Sequence, residues 1–503
     1  MTMDQTRRTF LKSGAIAGAA VALGALAGCS PQEKGKEGSE LAQTAGSNAE
    51  EGSEALPESA DLSATVLVIG SGIAGTVAAL EAAERGMDVL LVEKSENLGG
   101  TSALCSGAFM AAGTTLTQSS GVTLTVNDFY NTLISLDASS TTDRDIIQRF
   151  AFNAASACRF LEDHGVTFTE LTSPRLELPA ISHMTEGGSV VMETLGAHLS
   201  DKGVTVETGL RVTDLVKDES GRMIGAWGEQ AGDRVSIRSP YIILATGGFA
   251  SAQEMLAKHA TPLLLSSSTM NPNTGDGYRL AKAAGSAMLD TDAAIVTTSD
   301  TQGENWVGAF SEDLFYVTDE GERYCDESIS TFDRSFIMMA RGITTEYIIA
   351  TESQYEAFKA DFDSAAADGR SFSSDDPREL ARQMGIDPDR FAQTVQRYNE
   401  LCDKGVDEDY GKDSQYLTKL EGPLHSLTCA FDLTDTASGP RINKNAQVIS
   451  IDGTPIEGLY AAGAVTMAQL FGHAYIGTGS SMTNGAVFGR AAAQHISQIK
   501  DIA

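Results

Sequence analysis

The sequence is poor in cysteine motifs and in basic residues. Its 503 residues include six Cys, and none belongs to a CxxC, a CxxCH or a Cys/His pair at zinc spacing. Structural zinc, the common iron–sulfur clusters and covalent c-type haem need such patterns, so we expect none of these metal groups. Lys and Arg number 36 against 68 Asp and Glu, which gives a net charge of −32. Because this charge repels nucleic-acid phosphates, a nucleic-acid partner is excluded.

The sequence also lacks an apolar run that makes a convincing membrane span, which needs about 20 residues. The stretch from Ala15 to Ala27 is shorter and rich in Gly and Ala. A twin-arginine run at 7–12 precedes it, and it ends in Leu-Ala-Gly-Cys29, which resembles a bacterial lipoprotein cleavage box. This order predicts a signal peptide at 1–28, twin-arginine export, and a lipidated Cys29 on the extracytoplasmic face of the cell membrane. The alternative is an uncleaved amphipathic anchor.

Residues 29–60 are rich in Ser, Gly, Glu, Ala and Gln and have almost no large apolar side chain. Such a segment buries too little apolar surface to offset the entropy of ordering, so we predict a flexible acidic linker. The folded part is expected to begin near Asp61. Because the twin-arginine route usually carries proteins already folded around a cofactor, the signal also predicts a cofactor.

A dinucleotide-binding βαβ pattern follows. A continuous apolar run leads into the motif GSGIAG at 70–75, then come a helical stretch and a second apolar run that ends at Glu93. In this pattern Gly70 makes the turn, Gly72 lets the backbone approach a pyrophosphate, and Gly75 permits close packing of helix and strand. Glu93 is placed to accept hydrogen bonds from an adenosine ribose. The spacing therefore predicts a bound dinucleotide, without deciding between FAD and NAD.

Four further segments decide this question. They are LGGTS at 98–102, LATGG at 244–248, NTGDG at 273–277 and GLYAAG at 458–463. With them, the chain from about Asp61 to Ile502 resembles the fumarate reductase/succinate dehydrogenase flavoprotein family, which includes 3-ketosteroid dehydrogenases and urocanate-type reductases. The resemblance implies FAD. It implies non-covalent binding, because the segment 99–107 lacks the His that covalent members carry there.

The resemblance implies an α/β fold, with a Rossmann-like doubly wound FAD-binding domain interrupted by an α+β capping domain. Carried over to this chain, the FAD-binding domain occupies 61–290 and 436–503, and the capping (substrate) domain occupies 291–435. There is no second GxGxxG unit for NAD(P)H. Electrons are therefore expected to pass to or from an external partner, such as a membrane-linked cytochrome or quinol system.

The same resemblance assigns the cofactor contacts to the glycine-rich turns and the residues beside them. The predicted contacts are Gly70, Gly72, Ile73, Ala74, Gly75, Glu93, Lys94, Gly99, Gly100, Thr101, Ser102, Ala245, Thr246, Gly247, Asp276, Gly463, Ala464, Ser480 and Ser481. Ser480 and Ser481 are predicted to begin the last helix, whose positive end would face the pyrimidine side of the flavin.

The substrate site departs from the fumarate reductase pattern, which has cationic clamps for two carboxylates and an arginine proton donor. Two clamp histidines are replaced by Thr297 and Asp435. The donor position falls on Thr331 or Phe332, although a loop shift of one or two residues would bring Arg334 there. Burying a dicarboxylate without charge partners costs several kcal/mol, so fumarate is not the expected substrate.

A fourth clamp, an Arg, is replaced in the segment from Tyr475 to Gly479. This segment is similar to the one with which 3-ketosteroid dehydrogenases hold a ketone oxygen through a tyrosine hydroxyl and a glycine amide. The alternative is that Tyr475 packs on the cofactor and the glycines form a turn. His473 is a candidate donor to substrate or flavin, or a structural residue. Tyr316 and Tyr324 are candidate proton donors in the capping domain, or ordinary core and surface residues.

These features together predict an extracytoplasmic FAD-dependent oxidoreductase that acts on a CH–CH or C=C bond next to an electron-withdrawing carbonyl. The favoured reaction is reduction of an enone or acrylate-type acceptor, with hydride transfer from flavin N5 and electrons from an external donor. One alternative is a 3-ketosteroid-type dehydrogenase that runs in the oxidative direction. The other is a flavin-binding lipoprotein without turnover.

Overall fold

The computed structural model describes residues 55–136, 142–175, 178–259, 272–291, 294–300, 312–472 and 475–500. The strands are β1 Leu62–Ser63, β2 Val66–Ile69, β3 Val89–Val92, β4 Phe109–Met110, β5 Glu170–Thr172, β6 Ser182–Met184, β7 Thr205–Glu207, β8 Leu210–Lys217, β9 Met223–Gln230, β10 Asp233–Arg238, β11 Tyr241–Leu244, β12 Met288–Leu289, β13 Ala294–Asp300, β14 Phe315–Thr318, β15 Thr345–Thr351, β16 Ser371–Ser374, β17 Leu424–Thr436, β18 Gly439–Pro440, β19 Gln447–Ile449 and β20 Pro455–Ala461.

The helices alternate with these strands through most of the described chain. They are α1 Ile73–Glu84, α2 Gly100–Leu104, α3 Thr115–Ser119, α4 Val126–Leu136, α5 Arg144–Asp163, α6 Gly188–Asp201, α7 Gln253–His259, α8 Asp276–Ala283, α9 Thr331–Arg341, α10 Glu352–Ala357, α11 Lys359–Ala367, α12 Pro377–Met384, α13 Pro388–Lys404, α14 Ala468–Phe471 and α15 Ser480–Lys500. Short 3₁₀ turns occur at Ser414–Tyr416 and Ala464–Thr466.

A six-stranded sheet in the order β19-β20-β11-β2-β3-β7 carries the predicted dinucleotide motif. Its pairings are parallel except for β19, which runs antiparallel to β20. Strands β2, β3 and β11 are buried at every residue, as expected for a parallel sheet covered on both faces. Since β20, β11, β2 and β3 are parallel neighbours, their carboxyl ends meet at one edge of the sheet.

The βαβ unit forms where the sequence predicts it. Strand β2 leads through the glycine turn into α1, and strand β3 follows. Helix α1 ends at Glu84, and Gly86, two residues later, has a φ of +74°. A left-handed backbone favours glycine and ends a helix. The local pattern was sufficient here because every signal lies within 25 residues or so of the turn.

The last helix, α15, begins at the predicted Ser480 and packs closely against α1. A Cβ atom on Gly489 would lie 2.4 Å from the backbone oxygen of Ala74, and one on Gly485 would lie 2.7 Å from the side chain of Ile73. Glycine at both positions therefore permits the close approach. Arg490 closes the same interface with an ion pair to Glu81 of 2.7 Å.

A second, antiparallel sheet has the order β13-β17-β15-β14, with β16 also paired to β17. Its side chains alternate between two apolar clusters: Tyr316 and Ile348 face one, whereas Phe315, Val317 and Ile349 face the other. Helices α9 to α13 belong to the same stretch of chain. This α+β arrangement follows from period-two patterning of strands that are buried on both faces.

Three smaller sheets complete the fold, with the orders β1-β10-β9-β8, β4-β6-β5 and β12-β18. The architecture is the predicted doubly wound α/β domain with an inserted α+β region. Among the described residues, no helix combines the length and the apolar character needed to cross a bilayer.

The helix interface gives a stability prediction. Gly489→Ala should lower the free energy of unfolding by about 1–3 kcal/mol, because the added methyl overpacks the contact between α15 and α1. The matched control is Gly196→Ala in α6, where a Cβ would meet no atom within 4 Å. That variant should be neutral or more stable by up to about 1 kcal/mol, because alanine favours a helix. Thermal unfolding of both variants tests this, and equal effects would contradict the packing argument.

Candidate active site

The glycines of the turn after β2 differ in how closely the protein surrounds them. Gly70 has a φ of +102°, and a Cβ on it would lie 2.4 Å from the backbone oxygen of Ala245. A Cβ on Gly75 would lie 1.9 Å from the oxygen of Gly70. These two glycines are required by the protein itself. In contrast, a Cβ on Gly72 would meet the Ser102 Oγ at 3.3 Å and no backbone atom closer than the Gly99 oxygen at 3.8 Å, so the protein backbone restricts Gly72 less than the other two glycines.

Helix α1 begins at this turn. Gly72 is its N-cap residue and has no side-chain cap. The backbone N–H of Ile73 donates to Ser102 Oγ at 3.0 Å, and Ala74 and Gly75 follow in the first turn. The positive end of the helix and its amide groups favour an anion such as a pyrophosphate.

Glu93 lies directly after β3 and is 7% exposed. Its Oε2 accepts hydrogen bonds from Ser71 N at 3.0 Å and Ser71 Oγ at 2.7 Å, and its Oε1 accepts from Ser95 N at 2.9 Å. Each carboxylate oxygen has two lone pairs, so acceptor capacity is left for a ribose hydroxyl. The sequence analysis missed Ser71, which orients Glu93 and also accepts from Gly99 N at 3.0 Å.

Two predicted contacts, Lys94 and Asp276, pair with each other. Lys94 Nζ lies 3.0 Å from Asp276 Oδ2, and Arg211 binds the other oxygen of Asp276 at 2.6 Å. Burial raises the pKa of Asp276, but the bonds from Arg211 and Lys94 outweigh it, and the net pKa is lowered. The pair joins the end of β3 to the start of α8.

The loop after β11 carries a buried hydroxyl without a hydrogen-bond partner among the described residues. This is Thr246 Oγ1, between Ala245 and Gly247. An unpaired buried polar atom costs free energy unless a ligand or water satisfies it. Its position at the carboxyl edge of the sheet, beside the glycine turn, fits a bound dinucleotide.

The remaining predicted contacts also lie at this edge. Gly99 and Gly100 have positive φ angles and open α2, which contains Thr101 and Ser102. Gly463, with a φ of +85°, follows β20 and precedes Ala464. Ser480 Oγ donates to the backbone oxygen of Gly477 at 2.8 Å, at the start of α15. The edge thus has a glycine turn, the N-termini of α1, α2 and α15, and a buried hydroxyl without a described partner, which is the donor set an extended dinucleotide needs.

Tyr475 and Gly479 are brought together at the N-terminus of α15. Tyr475 is 6% exposed, and its hydroxyl oxygen accepts a hydrogen bond from Ser481 N at 3.2 Å. The Ser480 side chain also interacts with this hydroxyl. Burial raises the pKa of Tyr475, so the hydroxyl keeps its proton at neutral pH. A protonated hydroxyl can both accept a hydrogen bond and donate its own hydrogen, so Tyr475 keeps a hydrogen to donate.

Aromatic rings flank this tyrosine. The ring of Phe332, at the start of α9, lies 4.6 Å from the Tyr475 ring in an edge-to-face arrangement, and Phe471 lies at 5.0 Å. Apolar walls around a neutral donor favour an uncharged ligand, since a charged group would lose its hydration there. Phe332 was considered in the sequence only as a possible donor position, and its contact with Tyr475 was not predicted.

Tyr316, Tyr324 and Arg334 form a separate cluster in the α+β region. The Arg334 guanidinium lies over the Tyr316 ring at 4.0 Å. Tyr324 donates to Glu346 Oε2 at 2.5 Å, and Arg334 Nε lies 3.6 Å from the same oxygen. Burial and Glu346 together raise the pKa of Tyr324. These three side chains contact one another or Glu346, which the sequence analysis missed, whereas Tyr475 contacts Phe332 and Phe471.

Arg323 lies in the segment GERYCDE at 321–327 and holds that segment in place. It forms bonds of 2.6 Å and 2.8 Å to Glu327 and of 2.8 Å to Asp407. Burial raises the pKa of Asp407, but the bonds from Arg323 reverse this and bring it to about 2. This guanidinium is committed to two carboxylates within the protein.

Asp435, at a position where the fumarate reductase pattern has a clamp histidine, is 4% exposed. Its Oδ1 accepts hydrogen bonds from Gly248 N at 3.2 Å and Thr436 N at 2.9 Å, and Asn273 bonds to the same carboxyl group. Burial raises the pKa of Asp435 to about 7. The carboxyl group thus joins the end of β17 to the loop after β11. His473 lies outside the described residues.

Comparisons with known proteins identify two segments. Residues 65–482 match the family model described as FAD binding domain. Residues 4–24 match the model of the twin-arginine translocation pathway signal sequence.

Two similar proteins are reductases. The vinyl phenol reductase of Lactiplantibacillus plantarum is 27% identical, and the match covers 86% of this chain and 97% of that protein. The digoxin reductase of Eggerthella lenta is 27% identical, with 98% of this chain and 97% of that protein covered. Fumarate reductases and a urocanate reductase also match.

A similar solved structure is the 3-ketosteroid-Δ4-(5α)-dehydrogenase of Rhodococcus jostii, in complex with 4-androstene-3,17-dione. It is 24% identical, covers 88% of this chain and 98% of its own, and has a TM-score of 0.73. At this identity the likeness shows a shared fold.

The glycine turn gives a ligand-binding prediction. Gly72→Val should abolish flavin retention while the chain stays folded, because the valine Cβ meets no backbone atom closer than 3.8 Å but the side chain blocks the approach of a pyrophosphate to the turn. Flavin absorbance and circular dichroism of the purified variant measure the two effects. Gly70→Ala is the contrasting variant: it should lower stability itself, because its Cβ clashes with the Ala245 oxygen. A yellow, flavin-loaded Gly72→Val protein would refute the placement.

The carboxyl group of Asp435 predicts a pH dependence of stability. Its folded pKa of about 7 lies above the ordinary value of 3.8. Folding therefore favours the protonated form, and the stabilisation is full below about pH 4 and is lost as the pH rises to about 7. Asp435→Asn keeps a neutral group, so its stability relative to wild type should rise by up to a few kcal/mol across this window. Parallel unfolding profiles at pH 5 and pH 8 would contradict the buried, protonated carboxyl.

Proposed function

Because this chain belongs to the FAD-binding-domain family, we propose that it is an extracytoplasmic reductase of C=C bonds next to a neutral, electron-withdrawing carbonyl. The family match covers most of the chain and confirms the predicted FAD cofactor and the predicted resemblance. The family match and the similar reductases confirm the predicted enzyme class, an FAD-dependent oxidoreductase acting on CH–CH groups. The twin-arginine signal is likewise confirmed.

The Tyr475 hydroxyl is the observation that carries the proposal. It is buried and protonated, and its oxygen accepts a hydrogen bond from the Ser481 backbone amide at 3.2 Å. Accepting hydrogen bonds polarises an O–H group and makes it a better donor. Such a donor stabilises the negative charge that develops on a carbonyl oxygen when the conjugated C=C bond is reduced. When bound and reduced by the external electron donor, FAD would supply the hydride that this reduction needs.

The charges near Tyr475 favour a neutral substrate. The side chain of Asp333, next to Phe332, forms an ion pair with Arg175 of 2.7 Å, which neutralises that guanidinium. Arg334 faces Glu346, and Arg323 faces Glu327 and Asp407. A dicarboxylate would therefore compete with carboxylates that already hold these arginines. Two similar proteins are named for a vinyl phenol and for digoxin rather than for a dicarboxylate.

The remaining assignments extend this proposal. We propose that the sheet edge from Gly70 to Ser481 holds the FAD, that 291–435 caps the substrate, and that Cys29 carries a lipid anchor. An external cytochrome or quinol system would supply the electrons. Tyr324, Tyr316 and Arg334 would act as proton donors from the capping domain; Tyr324 donates to Glu346, and the Arg334 guanidinium lies over the Tyr316 ring.

The test is an anaerobic assay in which reduced viologen donates electrons to the FAD-loaded enzyme. The acceptor panel contains neutral enones such as 4-androstene-3,17-dione, together with a vinyl phenol and an acrylate. Fumarate is the dicarboxylate control. Oxidation of viologen by a neutral compound, with little or none by fumarate, supports the proposal. Brisk turnover of fumarate overturns it.

The oxidative direction is the second candidate, because a donor that stabilises an enolate-like oxygen serves hydrogen removal as well as addition. The flavin midpoint potential and turnover of saturated ketones with an artificial acceptor distinguish the two directions. If no compound in either assay reacts with the flavin, a flavin-binding lipoprotein without turnover replaces both.

Tyr475→Phe tests the role of the hydroxyl. Turnover should fall by roughly ten- to a thousandfold, the range for losing one oxyanion donor or acid, while FAD content persists. The matched control is Tyr347→Phe, which removes another buried hydroxyl, one that donates to the Met384 oxygen at 3.2 Å in the α+β region. That control should keep its activity. Unchanged turnover in Tyr475→Phe would remove Tyr475 from the mechanism.

A further inference from the structure

Arg175 and Asp333 form an ion pair between two distant parts of the chain. The Arg175 guanidinium nitrogen lies 2.7 Å from Asp333 Oδ2, across 158 positions of sequence. The Arg175 side chain is 7% exposed and the Asp333 side chain 33%. A guanidinium this deeply buried needs a compensating charge, because leaving it unpaired is strongly destabilising.

The Arg175 end of the pair lies against the Tyr475–Gly479 segment. The backbone oxygen of Pro174 accepts a hydrogen bond from Thr478 N at 3.3 Å. A Cβ on Gly477 would lie 3.0 Å from the same oxygen, so the two backbones are in close contact. Ser182 Oγ donates to the Thr478 oxygen at 2.5 Å and fixes the segment from the other side. Any movement of residues 174–175 is therefore transmitted to residues 477–478.

The Asp333 end lies in the first turn of α9, within the predicted capping domain. A negative side chain in this turn is favoured by the positive end of the helix. The preceding residue, Phe332, packs edge-to-face on Tyr475 at 4.6 Å. Two successive residues of α9 are thus linked to the Tyr475–Gly479 segment. Phe332 contacts it directly, and Asp333 is connected to it through Arg175 and Pro174.

We propose that Arg175 and Asp333 are positioning residues that hold helix α9 of the capping domain against the Tyr475–Gly479 segment. The pair fixes the Phe332 wall and, through Pro174, the backbone that carries Gly479. It also keeps the arginine neutralised, so that an uncharged substrate meets no unpaired cation. This inference rests on the proposed function of Tyr475 for its effect on turnover, but its structural part is measurable without a substrate.

The experiment uses the full-length, FAD-loaded protein and two variants of one residue. Asp333→Asn removes the charge, and Asp333→Glu keeps it. Amide hydrogen exchange is measured in peptides covering 331–341 and 475–483 without substrate. In Asp333→Asn these peptides should exchange about 5- to 30-fold faster, the effect of losing one partly buried pair. Asp333→Glu should restore most of the protection.

Kinetics give the second readout, with the best neutral acceptor from the panel. Asp333→Asn should raise KM several-fold more than it lowers kcat, because substrate binding must also reorder the helix. For Arg175→Ala, added guanidinium chloride at millimolar concentration should recover part of the lost activity, since it replaces the missing ion. A merely structural defect would not respond to guanidinium.

Asp409→Asn is the matched control. Asp409 also pairs with an arginine, Arg397, at 2.6 Å, and its side chain is 32% exposed, but both residues lie within the capping region. This variant should leave exchange in both peptides and the KM unchanged. Equal exchange in Asp333→Asn and wild type would overturn the inference, as would equal effects of Asp333→Asn and Asp409→Asn. If the wild type reduces none of the acceptors, the proposed function fails while the exchange result still decides the positioning role.

Discussion

The close contact between the first and the last helix is the constraint on which the site depends. Helix α15 lies against α1 because Gly485 and Gly489 leave room for the backbone of Ala74. Since both helices begin at the carboxyl edge of the same parallel sheet, their N-termini converge there. One can hold a pyrophosphate, and the other, capped by the Tyr475 hydroxyl, lies beside the predicted carbonyl site. Residues 400 positions apart in sequence thus form one binding edge.

The distribution of buried charge then decides which substrates fit. Three buried arginines near the site or in the α+β region face carboxylates: Arg175 pairs with Asp333, Arg334 lies near Glu346, and Arg323 binds Glu327 and Asp407. Such pairs offset the cost of burial but offer little net charge to a ligand. The neutral Tyr475 hydroxyl is left as the directed donor, between two aromatic rings. A polarised carbonyl suits this lining better than two carboxylates do.

Short-range features of the sequence predicted a large part of the fold and of the candidate site. The glycine turn, strands β2 and β3 and the start of α15 depend on neighbouring residues, so their patterns could be read from the chain alone. The contact between Tyr475 and Gly479 also lies within five positions. The Arg175–Asp333 pair spans 158 positions, and neither residue belongs to a motif. Glu346 also belongs to no motif. It lies opposite Tyr324 because β15, which contains Glu346, pairs with β14, and Tyr324 follows β14 in the chain.

Among the predicted cofactor contacts, the structure also shows why glycines of one motif differ in role. Gly70 and Gly75 are required by the protein backbone, whereas the backbone restricts Gly72 less. Sequence spacing alone gives all three the same weight. Lys94 and Asp276 were each predicted to touch the cofactor, and the structure joins them to each other, an ion pair that links the loops after β3 and before α8.

The central claim is that this edge holds one FAD without a covalent bond. Acid precipitation of the purified protein, followed by identification and quantification of the flavin in the supernatant, tests it most directly. The account predicts one FAD per chain, all of it released into the supernatant. A colourless protein, or flavin that remains with the precipitated chain, would contradict it.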